Sequence, residues 1–315
     1  MLFFAIKNVS LRIDLSDMQN REQKIRNITL WGSFVNILLT AGKICAGVFG
    51  KSAAMIADGF HSLSDLVSDF VVLIFSHFAS KKTDRHHPFG HGKFETMGTI
   101  IVSILLMVVG ASLLSGGVKS IVGFIHGEDI PRPGWIALVA AAVSIAAKEL
   151  LFRATMRVGN EVDSPVTRAN AWHHRSDAFS SIGALIGIGG AFLLGEKWTV
   201  LDPIVSCGIS IAIIVLGVKM SLPALSELLE SSLPEDVQAE IVKMAQSVEG
   251  VKDIHNLKTR KNGVAYIIEA HVVVDPQMSV YDAHEIATQI EDKLYEKYGS
   301  ETQISIHIEP DTASR

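Results

Sequence analysis

The sequence has little cysteine and little charge. Only Cys45 and Cys207 occur among 315 residues, far apart and both in apolar stretches. This excludes a disulfide framework and a thiolate metal site, so any metal must be held by histidine and carboxylate. Charged residues make up 19% and the mean hydropathy is +0.33. That composition is too apolar for an ordinary water-soluble domain and indicates a membrane protein.

Basic residues are scarce near the C-terminus. Residues 222–315 carry 8 Lys and Arg against 17 Asp and Glu, whereas residues 1–221 carry 20 against 16. An acidic tail suits small cations and argues against nucleic acid, which requires clustered Lys and Arg. The N-terminus lacks the cationic region and cleavage site of a secretory signal. We therefore expect residues 1–26 to form a cytoplasmic tail near the membrane surface.

Six apolar stretches are long enough to cross a bilayer, which requires about 20 residues. They lie at 28–50, 53–79, 97–124, 135–156, 169–194 and 199–220. Twelve Lys and Arg fall on one predicted side and four on the other, which places both termini in the cytoplasm. We expect a multi-pass protein of the inner (plasma) membrane, with a six-helix transmembrane domain at 27–221.

The remaining residues, 222–315, have the pattern of a soluble domain. Helical spacing at 235–248 precedes two strand-like runs around Lys261-Asn262-Gly263, a second amphipathic helix at 280–298 and a final alternating strand at 303–308. The predicted fold class is a polytopic α-helical membrane protein with a C-terminal α+β cytoplasmic domain of order α-β-β-α-β.

Ionisable side chains interrupt the second apolar stretch. Asp58, His61, Asp65 and Asp69 are spaced 3, 4 and 4 apart, which puts them on one stripe of a helix. A charge inside the bilayer is costly, so such residues face the protein interior and mark a site.

The fifth stretch repeats the pattern with a histidine and an aspartate four residues apart. Two such helices supply two imidazoles and two carboxylates, the four-ligand set that Zn²⁺ prefers. The predicted site consists of His61, Asp65, His173 and Asp177. The alternative is that these groups are ion pairs that lock the helices together. The neighbouring His174 and Arg175 are expected to point elsewhere.

Two further groups of candidate ligands lie outside the apolar stretches. In the loop TDRHHPFGHGK, Asp84, His87 and His91 are spaced to close on one ion, although loop histidines are commonly only solvated. In the acidic tail, the candidate metal-sensing residues are His255, His271, His284, His307 and Glu309.

The runs AMIADGFHSLSDLVSDF, DRHHPFGHGKFE and NAWHHRSDAFSS, in this order and with this tail, resemble the cation diffusion facilitator family of divalent-metal transporters. The resemblance covers about residues 25–310. It implies a homodimer that exports metal from the cytoplasm in exchange for protons. It also implies that the three groups above are a transport site, a loop site and a regulatory site at the dimer interface of the tails. Lys93 resembles a lysine that forms a charge lock between subunits, with Glu230 as its acidic partner.

The sequence leaves the identity of the transported metal open among several divalent ions. His61 occupies a position where the iron/zinc branch of bacterial exporters typically has Asp, and imidazole favours Zn²⁺ over Mn²⁺. However, HSLSDLVSD and NAWHHRSDA are also similar to the branch with mitochondrial iron transporters. We therefore expect Zn²⁺ as substrate and regulatory ion, with Fe²⁺, Mn²⁺ or Cd²⁺ as alternatives. A metal-sensing membrane scaffold without transport is the alternative of another class. A metalloenzyme is disfavoured because no HExxH occurs and four ligands leave no open position.

Overall fold

The computed structural model describes residues 2–311 except 80 and 82, and it does not describe the side chains of 2–22, 69, 72 and 73. The basic side chains of the N-terminal tail before residue 23 therefore lie outside the described residues. So do the side chain of Asp69, which was predicted to share the stripe of the second helix, and Lys82.

Within the described residues the N-terminal two thirds are helical. The long helices are α1 (Leu2–Phe49), α2 (Ala53–Ala79), α3 (Lys93–Ile125), α4 (Trp135–Glu161), α5 (Pro165–Leu193) and α6 (Leu201–Leu228). Five segments of the described chain are long and apolar enough to cross a membrane: Gln23–Phe49, Lys93–Ile125, Trp135–Glu161, Pro165–Leu193 and Glu196–Leu228. The other long helix is α2, which carries the predicted stripe of ionisable residues.

Two helices extend beyond the apolar stretches that predicted them. Helix α1 begins at Leu2, although its apolar part starts only near residue 28. Helix α6 continues through Pro223 to Leu228. A proline removes one helical hydrogen bond but does not always end a helix, so the change of periodicity there is not a helix boundary. The domain division at 221/222 stays a prediction, and it falls within α6.

The chain divides into two compact units. The first comprises Met1–Asp69 and Leu105–Gly217. In it α4 packs against α5 and α1, and small residues bring helices close together. A Cβ added to Gly47 of α1 would lie 2.7 Å from Cγ1 of Ile56 in α2, and one added to Gly59 of α2 would lie 2.8 Å from Cγ1 of Ile44. Glycines at such contacts are typical of packed membrane helices.

The second unit comprises Phe70–Ile104 and Val218–Arg315. Its C-terminal part contains α7 (Glu235–Gln246), β1 (Asp253–Asn262), β2 (Ala265–Val274), α8 (Val280–Tyr298) and β3 (Gln303–Pro310), which confirms the α-β-β-α-β order. Strand β2 is central, antiparallel to β1 and parallel to β3. The helices cover one face of the sheet, and the core includes Ile268, Val272 and Ile290, all fully buried.

Candidate metal centre

Three of the four side chains predicted in the membrane helices converge. Asp65 of α2 and His173 and Asp177 of α5 each offer a ligand atom, and these atoms lie within 4.8 Å of one another. His173 and Asp177 are one helical turn apart, with Nδ1 and Oδ1 separated by 3.7 Å. Asp177 is buried, whereas the His173 side chain is 57% exposed. The arrangement offers two carboxylates and one imidazole to a cation.

The cluster lines a cavity of about 110 Å³ in the first unit. His174 lies on the wall of this cavity and is only 5% exposed, so it does not point away as expected. Lys148 of α4 also lines it, and its Nζ lies 2.8 Å from Oδ2 of Asp177. Lys148 is not among the residues that the sequence pattern predicts for the site. The cost of burying a charge in an apolar span was the available signal.

His61 does not join the three converging residues in this structure. It lines a different cavity of the first unit, together with Ser176 and Ser180. Its Nδ1 is buried and has no hydrogen-bond partner among the described residues. Positions four apart on a helix differ by about 40° in direction, which allows His61 and Asp65 to face different cavities. Its role as a transport ligand stays a prediction.

Asp58, on the same predicted stripe, is fully buried and takes part in an ion pair. The Nζ of Lys43 in α1 lies 2.8 Å from Oδ2 of Asp58. Ser180 and Ser181 of α5 donate hydrogen bonds of 2.7 and 2.8 Å to the Asp58 carboxylate. The Lys43 ammonium also donates to Ser62 at 3.0 Å. This network links α1, α2 and α5 and is the kind of interhelical lock that was considered as an alternative for the whole stripe.

The loop between α2 and α3 brings its three predicted ligands together. Asp84, His87 and His91 form a second group of possible ligand atoms within 4.8 Å of one another. Nδ1 of His87 and Nε2 of His91 each lie 3.4 Å from the Asp84 carboxylate. The backbone N–H of His87, followed by that of His86, lowers the pKa of the Asp84 carboxyl. The carboxylate is therefore kept in the form that binds cations.

The same loop is held close to the hairpin formed by β1 and β2. Asn262 donates a 2.7 Å hydrogen bond from Nδ2 to the carbonyl oxygen of Phe89, to which Gln303 also donates. Gly92 and Gly263 leave no room for side chains: a Cβ on Gly263 would lie 2.9 Å from the Cα of Gly92, and one on Gly92 would meet the Asn262 backbone.

In the tail, three histidines form a row across the sheet. His255 of β1 pairs with His271 of β2, which pairs in turn with His307 of β3. Glu309 binds this row, with its oxygens 2.7 Å from Nδ1 of His271 and 3.1 Å from Nε2 of His255. The hydrogen bond from His271 is the main cause of a lowered pKa of the Glu309 carboxyl.

Not all of the predicted tail histidines lie in this cluster. His255, His271 and Glu309 have ligand atoms within 4.8 Å of one another. His307 adjoins them, with Nε2 3.7 Å from Glu309. The remaining predicted residue, His284, lies exposed on α8, and the structure does not bring it into this group of the described residues.

Replacing His271 by alanine is expected to weaken Zn²⁺ binding at the tail cluster by about 10- to 100-fold, because the central imidazole also orients Glu309. Replacing His284 by alanine is the matched control and is expected to change the affinity less than about twofold. Calorimetric titration of the purified protein measures both. A His284→Ala effect as large as that of His271→Ala would contradict the assignment of the cluster.

The predicted charge-lock residues are in contact. Lys93 at the start of α3 forms an ion pair with Glu230, and Arg260 of β1 lies 3.0 Å from the same carboxylate. The contact joins two residues of one chain, whereas the resemblance implies a contact between subunits. The role between subunits stays a prediction.

The fold defines a class: a multi-pass helical membrane protein with a cluster of two carboxylates and an imidazole among its helices and an α+β domain after them. Two family models agree. The cation efflux transmembrane domain matches residues 30–229, and the cytoplasmic domain of cation efflux proteins matches residues 233–311. The chain belongs to the cation efflux, or cation diffusion facilitator, family. This confirms the predicted fold class and a family of transporters, not of enzymes.

Relatives share about a third of the sequence. Metal tolerance protein C1 of Arabidopsis thaliana is 36% identical over 89% of this chain, which spans only 61% of that longer protein. The manganese efflux system protein MneP of Bacillus subtilis is 30% identical over 92% of this chain and 97% of its own length. The magnetosome protein MamM of Magnetospirillum gryphiswaldense is 33% identical over 84% of this chain and 82% of its own.

Proposed function

We propose that the protein exports divalent transition-metal cations from the cytoplasm through the cluster of Asp65, His173 and Asp177. The convergence of these side chains from two helices, inside an apolar unit, carries the proposal. Ionisable side chains in apolar spans are costly and by default mark a site or a path for ions. Their oxygen and nitrogen atoms are ligands that first-row divalent metals accept.

Zn²⁺ is the first candidate for the cargo, because His61 lies one helical turn before Asp65 in α2. Zinc binds mixed sets of imidazole and carboxylate ligands. Mn²⁺ is the second candidate. The cluster contains two carboxylates and one imidazole without His61, and oxygen-rich sites suit Mn²⁺. The name of the manganese efflux relative agrees with this candidate. Fe²⁺ and Cd²⁺ belong to the same chemical class and form the rest of the panel to be tested.

We further propose that export is coupled to protons, because a ligand imidazole must be unprotonated and an unperturbed histidine titrates near pH ~6.5. Metal and proton then compete for the same nitrogen. The working form is a homodimer in the inner (plasma) membrane with both termini in the cytoplasm. Metal bound by the acidic tails would reduce their repulsion and bias the transport cycle.

A metal panel in proteoliposomes tests the function. A pH gradient is imposed, and Zn²⁺, Mn²⁺, Fe²⁺ or Cd²⁺ is added outside the vesicles. We expect the protein molecules that are inserted in inverted orientation to take up metal, and we expect this uptake to stop when a protonophore removes the gradient. The preferred ion identifies the cargo. Metal binding without flux of any of the four ions would instead support the alternative of a metal-sensing membrane scaffold.

A further inference from the structure

Among the described residues of the first unit, two lysines are buried in the helices, and each is paired with an aspartate. Lys43 lies 2.8 Å from Asp58, and Lys148 lies 2.8 Å from Asp177. All four side chains are less than a tenth exposed. Only the second pair involves a member of the ligand cluster, since Asp58 is not among the three converging residues.

The position of Lys148 puts a fixed positive charge where a divalent cation would bind. Its ammonium holds Oδ2 of Asp177, while Oδ1 of the same carboxylate faces His173 at 3.7 Å. Asp65 approaches from the other helix within the same 4.8 Å group. We infer that Lys148 is an internal counter-cation, which neutralises Asp177 when the site holds no metal and which a divalent ion must displace. This inference deepens the proposed function and depends on Asp177 being part of the site.

Electrostatics explains why such a residue is useful. Without Lys148, Asp177 would have no ammonium beside it, and the metal-free cluster would hold two carboxylates without this counter-charge, which is costly. Lys148 reduces that cost, but it also keeps Asp177 occupied. The observed metal affinity is then the intrinsic affinity reduced by the fraction of molecules in which Asp177 is free. Lys148 therefore weakens metal binding, which favours release of the cargo.

The cavity offers the displaced ammonium another partner. Asn36 of α1 lines the same cavity as Lys148, and its Oδ1 is buried with no hydrogen-bond partner among the described residues. An amide oxygen accepts a hydrogen bond from an ammonium. In this inference, Asn36 is the acceptor that receives the ammonium of Lys148 when a metal ion takes Asp177.

Neutral substitutions of Lys148 test the inference. The titration uses Zn²⁺ and the purified full chain in a His87→Ala, His271→Ala background, which suppresses binding at the loop and tail clusters. We expect Lys148→Met and Lys148→Gln to bind Zn²⁺ about tenfold or more tightly than the background. Lys148→Arg keeps the charge and is expected to stay within about threefold. Lys119→Gln, the same change at an exposed lysine of α3 in the first unit, is the matched control, and we expect its Zn²⁺ affinity to equal that of the background.

A structural role for Lys148 gives the opposite result, because loss of packing around the site would weaken binding. Weaker or unchanged affinity in folded Lys148→Gln protein, judged by size-exclusion chromatography, would overturn the inference. If the methionine variant does not fold, the more conservative glutamine variant decides. The proposed function is tested separately. It is contradicted if the unmodified chain transports no metal in proteoliposomes, even if the neutral Lys148 variants bind Zn²⁺ more tightly.

Discussion

Replacing Asp65 by Asn is expected to reduce metal export by at least about 100-fold, because the cluster loses one of its two anionic ligands. Asp65 suits this test better than Asp177 does. Asp177 is paired with Lys148, so its replacement would change the surroundings of a buried ammonium as well as remove a ligand. The measurement is the initial rate of metal uptake in proteoliposomes under a fixed pH gradient.

The matched control for Asp65→Asn is Asp129→Asn, the same chemical change in an exposed loop of the first unit. We expect this variant to transport at the rate of the unmodified protein. Export that continues at more than about a tenth of the normal rate in folded Asp65→Asn protein would mean that the cluster is not the path of the metal.

Replacing Lys43 by Met is expected to destabilise the protein by about 3–5 kcal/mol, because it leaves the fully buried Asp58 without its counter-charge. The double variant Lys43→Met, Asp58→Asn removes both charges and is expected to recover most of that loss. Equilibrium unfolding of the detergent-solubilised protein measures the two differences.

The double variant distinguishes the ion pair from simple packing. If it is as unstable as Lys43→Met alone, the loss comes from the lysine stem and its serine contacts, and not from an uncompensated carboxylate. If Lys43→Met is as stable as the unmodified protein, Asp58 does not need this counter-charge, and the ion pair does not stabilise the fold.

The sequence predicted the elements whose signal is local. Helix α8 begins and ends where its amphipathic spacing does, and the alternating run at 303–308 forms most of β3. Period and turn chemistry act over a few residues, so they can be recognised without tertiary information. The extent of α1 and α6 was less predictable. An apolar window detects the part of a helix that suits lipid, and these two helices extend beyond that part.

The candidate site was predictable in its residue types but not in its full membership. Spacing predicted that Asp65, His173 and Asp177 share a cluster, and their ligand atoms lie within 4.8 Å of one another in the structure. The direction in which His61 and His174 face depends on how α2 and α5 rotate against their neighbours, and spacing within one helix does not determine that rotation. Neither Lys43 nor Lys148 has a carboxylate three or four residues away on its own helix. Their aspartates lie on other helices, and only the packed structure reveals these pairs.

The contact between the loop and the β1–β2 hairpin has a mechanical consequence. Gly92 and Gly263 approach so closely that neither position accommodates a methyl group. Beside them, the side-chain amide of Asn262 donates a hydrogen bond to the backbone carbonyl of Phe89. Asp84, His87 and His91 are therefore carried on a segment that is clamped to the hairpin at its far end. A displacement of the hairpin would therefore displace this segment too, and the distances among its two imidazoles and its carboxylate would change with the position of the β-sheet.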